Sequence, residues 1–163
     1  RDLQILSKVN FRQYWSKILD DLYRVSLAIS ILELTDKTMS ENDPHPSLFL
    51  TLKEVLKAFN NTLIDPKILF WFYECALLNN LGFQPNLEDP KLPGLVLPNI
   101  KNDSNCIVVL STLLSENINQ LQKIKVSKET SSLISDYLWS LIDYHFEGLS
   151  SIKSFKVVKK LLS

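Results

Sequence analysis

A mainly α-helical fold, a bundle of about five to six helices with a proline-rich loop, is what this sequence predicts. Two observations carry that reading. Apolar residues recur at steps of three and four along most of the chain. Only 3 glycines occur in 163 residues, too few for a sheet of tight hairpins or for a phosphate-cradling loop. With 45% apolar residues the chain makes a single domain over 1–163, able to bury roughly two-thirds of its unfolded surface without staples.

The first helix is expected from Trp15. Trp15, Ile18, Leu22, Val25, Ile29 and Leu32 form one apolar stripe, and Tyr23, Leu27, Ile31 and Leu34 form a second. Such a helix should be covered on more than one side and sit centrally. It should stop in the polar run TDKTMSENDPHP, whose two prolines lack the amide hydrogen a helix needs. Ser47 then stands at an N-cap position ahead of Leu48, Phe49, Leu52, Val55, Leu56 and Phe59. Asp65-Pro66 opens the third helix, because the carboxylate accepts from free first-turn amides and proline at the first position loses nothing. Residues 68–78 hold one charge, Glu74, so this helix should be buried nearly all round, and Gly82 suits a left-handed stop.

Residues 83–106 read as loop, with Pro85, Pro90, Pro93 and Pro98 and no sustained period. The four apolar residues at 107–110 leave a short strand or hairpin near 107–111 open, and 112–124 reads as weakly helical. Ser127 opens a strong helix with Leu133, Ile134, Tyr137, Leu138, Leu141 and Ile142 on one face, ending near Gly148. A last helix, SIKSFKVVKKLLS, sets Phe155, Val158 and Leu162 apart from Lys153, Lys156 and Lys160.

Reactive chemistry finds little support. The 18 Lys and Arg balance 18 Asp and Glu, so the chain as a whole exerts no long-range pull on nucleic acid or anionic membrane. No window supplies the roughly eighteen uncharged apolar residues of a membrane span. The start, RDLQILSKVN, has neither a signal-peptide core nor a Met, and reads as the interior of a longer gene product. Cys75 in an apolar helix and Cys106 in a polar loop suit a reducing cytoplasm better than a disulfide framework. A zinc site needs clustered Cys, His or carboxylate ligands, and no closely spaced pairs occur. His45 lies between two prolines and reads as a loop residue; His145 reads as helix-terminal, and neither accompanies a nucleophile. Asp20 and Asp21 are adjacent and point to different sides of a helix.

Three groups have two readings each. Glu74 is expected to be a structural acid that hydrogen-bonds a neighbouring helix end or an Arg or Lys such as Arg24; the sharper reading is a raised-pKa acid at a site. Phe70, Trp71, Phe72 and Tyr73 point all round their helix without interleaved basic residues, which favours packing over a base-stacking platform. Lys153, Lys156, Lys159 and Lys160 form the one cluster without acids, a solvated face or a phosphate or acidic-peptide contact. No catalytic residue, metal or cofactor is expected.

Two longer segments carry a family pattern. In DLYRVSLAISILELTDKTMSENDPHPSLFLTLKEVLKAF, a long helix ends at Glu33-Leu34-Thr35-Asp36, a proline-bearing loop follows, and Leu48-Phe49 open the next helix. FYECALLNNLGFQPNL sets Tyr73, Glu74, Leu77, Leu78, Leu81, Gly82, Phe83, Pro85 and Leu87 in one register. Together they resemble the C-terminal helical domain of RecO, the bacterial recombination mediator of DNA repair, over most of the chain. Gly148 with Ile152-Lys153-Ser154 is a weaker third match.

The resemblance implies a non-enzymatic cytoplasmic role in DNA repair and recombination. Its partners would be RecR-like proteins and the acidic, apolar tail of single-stranded DNA-binding protein. The resemblance implies that the family's N-terminal OB-fold domain is not among these residues, so nucleic-acid binding by them is expected to be weak. Many relatives carry a Cys-x-x-Cys zinc half-site where this chain has Pro90 and Pro93, and Cys106 alone cannot rebuild it, so no zinc is expected. Tail capture needs an apolar pocket rimmed by cations. Where some relatives place arginines this chain has Trp71 and Phe72, leaving Lys53, Lys57 and Lys67 to supply the rim. The alternative is a structural helical adaptor unrelated to DNA repair.

Overall fold

The computed structural model describes residues 8, 10, 14–40, 42–61, 63–146, 149, 154 and 157–158. Among them run α1 (Ser16–Leu19), α2 (Leu22–Thr38), α3 (Pro46–Phe59), α4 (Pro66–Asn80), α5 (Ser104–Leu114) and α6 (Lys128–His145). Two 3-10 helices, Ile100–Asn102 and Ile118–Lys123, flank α5. The described residues contain no strand, only an isolated bridge between Leu92 and Leu95.

The centre of the bundle is α4. Every residue from 68 to 78 is buried, and α2, α3, α5 and α6 all pack against this one helix. Its polar tips are met by the neighbours. The Tyr73 hydroxyl lies 2.6 Å from Thr35 Oγ1 on α2, and Trp71 Nε1 donates to Ser135 Oγ on α6 at 3.1 Å. Both ends follow the sequence. Asp65 accepts from the Lys67 amide at 2.9 Å with Pro66 in the first turn. At the other end Gly82 takes φ +83°, its amide bonding Asn79 O at 3.1 Å and the Phe83 amide bonding Leu78 O at 2.7 Å. That pair of bonds satisfies carbonyls which would otherwise be stranded at the helix end.

The expectation of one central helix from Trp15 is corrected. Asp21 leaves helical geometry (φ −133°, ψ 112°) and accepts from the amides of Tyr23 at 2.9 Å and Arg24 at 3.4 Å. The cap ends α1 and starts α2 anew. On α2 the stripe holding Leu27, Ile31 and Leu34 is buried, whereas Leu22 is 81% exposed and Ile29 and Leu32 are also exposed. α2 touches α4 along one face only, because α4 shares its circumference among four helices.

Four further boundaries differ from the sequence reading. His45 takes the cap position of α3 in place of Ser47, since Pro46 already fixes the first helical turn; the Ser47 hydroxyl bonds Asn80 Oδ1 instead. The loop from 83 stops short of 106, because Asp103 caps α5 by accepting from Asn105 N (2.9 Å) and Cys106 N (3.2 Å). Residues 107–111 are therefore helical rather than extended, with Cys106, Val109, Leu110 and Leu113 buried at helical spacing. The weak helix read over 112–124 resolves into the end of α5 at Leu114, a turn through Glu116 at φ +55°, and a 3-10 helix. Cys106 is accordingly a fully buried helix residue and not a polar-loop one.

Ser127 caps α6 by accepting from the Thr130 amide at 3.1 Å, and the helix ends at His145. Gly148 and most of the last helix read from the sequence lie outside the described residues. The proline-rich loop turns at Pro93-Gly94, where Gly94 at φ +75° lets the Leu95 amide reach Leu92 O at 3.2 Å. It is fastened to α6 by the Tyr144 hydroxyl, which donates to Pro93 O at 3.0 Å, and by Phe83 stacked on His145 at 4.2 Å.

Arg24 joins two helices. It is buried, its Nε lies 3.4 Å from Asp21 Oδ2, and its Nη1 donates to Phe59 O at 2.8 Å and Asn61 O at 3.5 Å. A guanidinium thus closes the carbonyl end of α3, where intrahelical partners run out. Replacing it by a shape-matched apolar chain leaves the Phe59 carbonyl buried and unpaired. Arg24→Met should therefore cost about 2–3 kcal/mol, read as a lower urea midpoint at unchanged slope in equilibrium unfolding.

Candidate partner-binding surface

The outward row of α3 presents Phe49, Lys53 and Lys57 at steps of four, with Leu50 beside them. Phe49 is 65% and Leu50 59% exposed, and both lysines are exposed. Below the last turn of α3 opens a cleft of about 660 Å3 between the segment before α1, the end of α3 and the 118–123 helix. Trp15, Ile64 and Ile118 give its apolar wall, Tyr14 stands exposed at its edge, and Lys17 and Lys57 rim it. The Lys17 amide donates to Asn60 Oδ1 at 2.9 Å, which ties α1 to the end of α3 and holds the cleft's shape. Among the described residues the buried Trp15 indole N–H has no hydrogen-bond partner. Among the described residues of the wall, Glu54 is the acid that stands against two lysines.

Of the residues singled out in the sequence, Lys53 and Lys57 share this surface and three do not. Lys67 donates to Ser131 Oγ at 2.7 Å and lies over the Trp71 ring at 5.4 Å, in the seam between α4 and α6. Trp71 and Phe72 are interior, as the reading of the aromatic run as packing expected. Lys153, Lys156, Lys159 and Lys160 lie outside the described residues. Trp15, Lys17, Ile64 and Ile118 were not legible as site residues, because no local pattern connects positions so far apart.

Glu74 is 3% exposed and no described residue gives it a hydrogen bond or ion pair. The expected partner, Arg24, is committed to the end of α3, which corrects that pairing. Burial pushes the Glu74 carboxyl well above the usual carboxylate range, and pushes the neighbouring Cys75 thiol up as well, reinforced by Glu74 and Glu116. A thiol held protonated is a poor nucleophile. Cys106 is raised to about 11, by burial first and Asp103 second.

The donor set does not fit zinc. Pro90 and Pro93 offer no ligand atom, and among the described residues no three His, Cys, Asp or Glu side chains come together. No described helix is long and apolar enough to cross a membrane.

A family profile described as "Recombination protein O C terminal" matches residues 19–90, from the end of α1 through α4 into the proline-rich loop. The chain is 29% identical to the DNA repair protein RecO of Thermoanaerobacter sp. (strain X514), over 83% of this chain and 65% of that protein. It is 34% identical to the DNA repair protein RecO of Exiguobacterium sibiricum over 50% of this chain and 32% of that protein. The DNA repair protein RecO of Desulforamulus reducens is 24% identical over 90% of this chain and 66% of its own length. Over residues 19–90 the chain is therefore similar to the C-terminal region of RecO proteins.

It spans under two thirds of the length of the first of these RecO relatives and 66% of the third. No solved structure matches it with significance. The matched region includes the helix that carries Glu74 and the Gly82 stop.

The Glu74 environment sets a pH dependence. Because its folded-state pKa lies above the unfolded value, the folded chain holds the proton more tightly. The stabilisation is complete at pH below the unfolded pKa near 4.5 and is lost as pH rises toward the folded value. Glu74→Gln keeps the shape and removes the titration. Urea unfolding should find the variant more stable than the parent at pH 8, with the two converging near pH 4; equal stability at both values would contradict a buried unpaired carboxyl.

Proposed function

We propose that this chain is the helical part of a RecO-type DNA repair and recombination protein, acting in the cytoplasm as a recruiting module without covalent chemistry. The similarity to DNA repair proteins over most of the chain supports the repair role. The balance of 18 basic and 18 acidic residues supports protein partners over DNA as the main contact, because backbone affinity for nucleic acid comes from released counterions and needs excess cations.

The observation that carries the partner assignment is the cleft walled by Trp15, Ile64 and Ile118 and rimmed by Lys17 and Lys57. An acidic peptide ending in a large apolar residue meets both of its demands there: a desolvated place for the ring and cations for the carboxylates. The tail of single-stranded DNA-binding protein has this chemistry by the family resemblance, and we assign it to the cleft. The exposed Phe49 and Leu50 at the far end of the same face are assigned to a RecR-like protein partner.

Titration of the chain with a fluorescent acidic peptide ending in Phe tests the assignment. Lys17→Glu and Lys57→Glu should each weaken binding about three- to tenfold, and raising salt from 50 to 300 mM should weaken the parent and flatten the difference. Replacing the terminal Phe of the peptide by Ala should abolish binding. Affinity indifferent to both lysines, or to the ring, would leave a structural adaptor as the better reading.

A further inference from the structure

The 3-10 helix Ile118–Lys123 faces two clefts, one on each side. Three residues per turn sort its side chains into three rows. Leu121 is buried under the helix, Asn119 and Gln122 line the cleft that Lys17 and Lys57 rim, and Gln120 and Lys123 line a second cleft of about 550 Å3 on the side of α5. The two clefts share no residue and stand back to back across this one helix. We propose that they form one track for a single acidic segment of a partner protein, whose terminal apolar residue fills the first cleft while upstream carboxylates and one aliphatic side chain occupy the second. The track rests on the peptide reading of the first cleft and extends it.

Charge complementarity supplies the first argument. Lys123 and Lys125 are exposed at the second cleft, no acid is among the described residues that line it, and no described residue forms an ion pair with either lysine. The stretch NINQLQKIKV, residues 117–126, holds two lysines, four side-chain amides and no carboxylate. Carboxylates arriving there meet cations that are not already neutralised. The amides of Asn119, Gln120 and Gln122 are exposed on the ridge between the clefts, and such groups both donate and accept, as an extended backbone crossing them requires.

Shape gives the second argument. Val108 is 62% exposed, and with Val109 and Ile124 it offers an aliphatic seat between the lysines and α5. No aromatic ring is among the described residues lining this cleft, so a nucleic-acid strand would find cations but no stacking surface. A helix is about 10–12 Å across and an extended chain covers about 3.3 Å per residue, so roughly four residues separate the two seats.

Two fluorescent peptides ending in Phe test the track on the intact chain: a short acidic one of about four residues, and a long one of about ten whose added residues are acidic apart from one Leu. The long peptide should bind about tenfold tighter than the short one. Combining Lys123→Glu with Lys125→Glu should remove that gain and leave the short peptide's affinity unchanged, which also shows that the variant is folded. Val108→Asp should do the same, and Lys17→Glu should weaken both peptides alike. Equal affinities in the parent, a gain that survives either change, or an equal loss of the short peptide would overturn the proposal. Oligothymidylate that binds the parent and is lost in the double-lysine variant would reassign those lysines to nucleic acid and overturn it too. A short peptide that fails to bind the parent brings down the reading of the first cleft and the track with it; a short peptide that binds beside a long one that gains nothing brings down the track alone.

Discussion

Burying one helix on every side is the constraint from which the rest of this structure follows. A helix in that position must be apolar all round, and α4 is, from Ile68 to Leu78 apart from Glu74. Each large side chain fully removed from water contributes roughly 1.5–3 kcal/mol, and α4 supplies Trp71, Tyr73, Phe70 and Phe72 among the largest buried side chains in the molecule. Four other helices have to meet it, and the polar tips of its aromatics dictate what those helices carry: Thr35 on α2 for Tyr73, Ser135 on α6 for Trp71. The bundle is arranged around satisfying α4.

The same constraint decides where function can reside. A central helix has no surface, so the aromatic run at 70–73 is removed from partner binding, and Lys67 is drawn into the α4–α6 seam with it. Among the surfaces left accessible are the outer side of α3 and the lysine-rimmed cleft at its end. The loop after the glycine stop is held by a Pro-Gly turn, a tyrosine hydroxyl bonded to the loop backbone and a Phe–His stack.

Much of this was legible in the sequence, and the parts that were not share a cause. The extent and burial of α4, its Asp65-Pro66 start and its Gly82 stop depend on local rules, and each appears where those rules put it. The break at Asp21 is local too, yet the apolar stripes on both sides masked it. Periodicity continues across a cap that redirects the chain by one residue. Residues 107–111 left a short strand open because four apolar residues carry no period of their own; Asp103, which caps α5 and also accepts from Thr130 at 2.7 Å, settles the matter through a contact 27 positions away. The cleft depends on residues 15, 17, 57, 64 and 118, which only packing brings together. Lys53 and Lys57 were foreseeable as exposed cations on a helix face, whereas Lys17 and Trp15 were not.

The central claim, that α4 is the organising element, is tested most directly by native-state hydrogen exchange across a urea series. If the bundle is built on α4, the amides of residues 69–79 exchange only through global unfolding, with opening free energies equal to the stability of the whole domain and above those of α2, α3 and α5. If instead α4 amides open at lower free energy than those of its neighbours, the core lies elsewhere and the account fails.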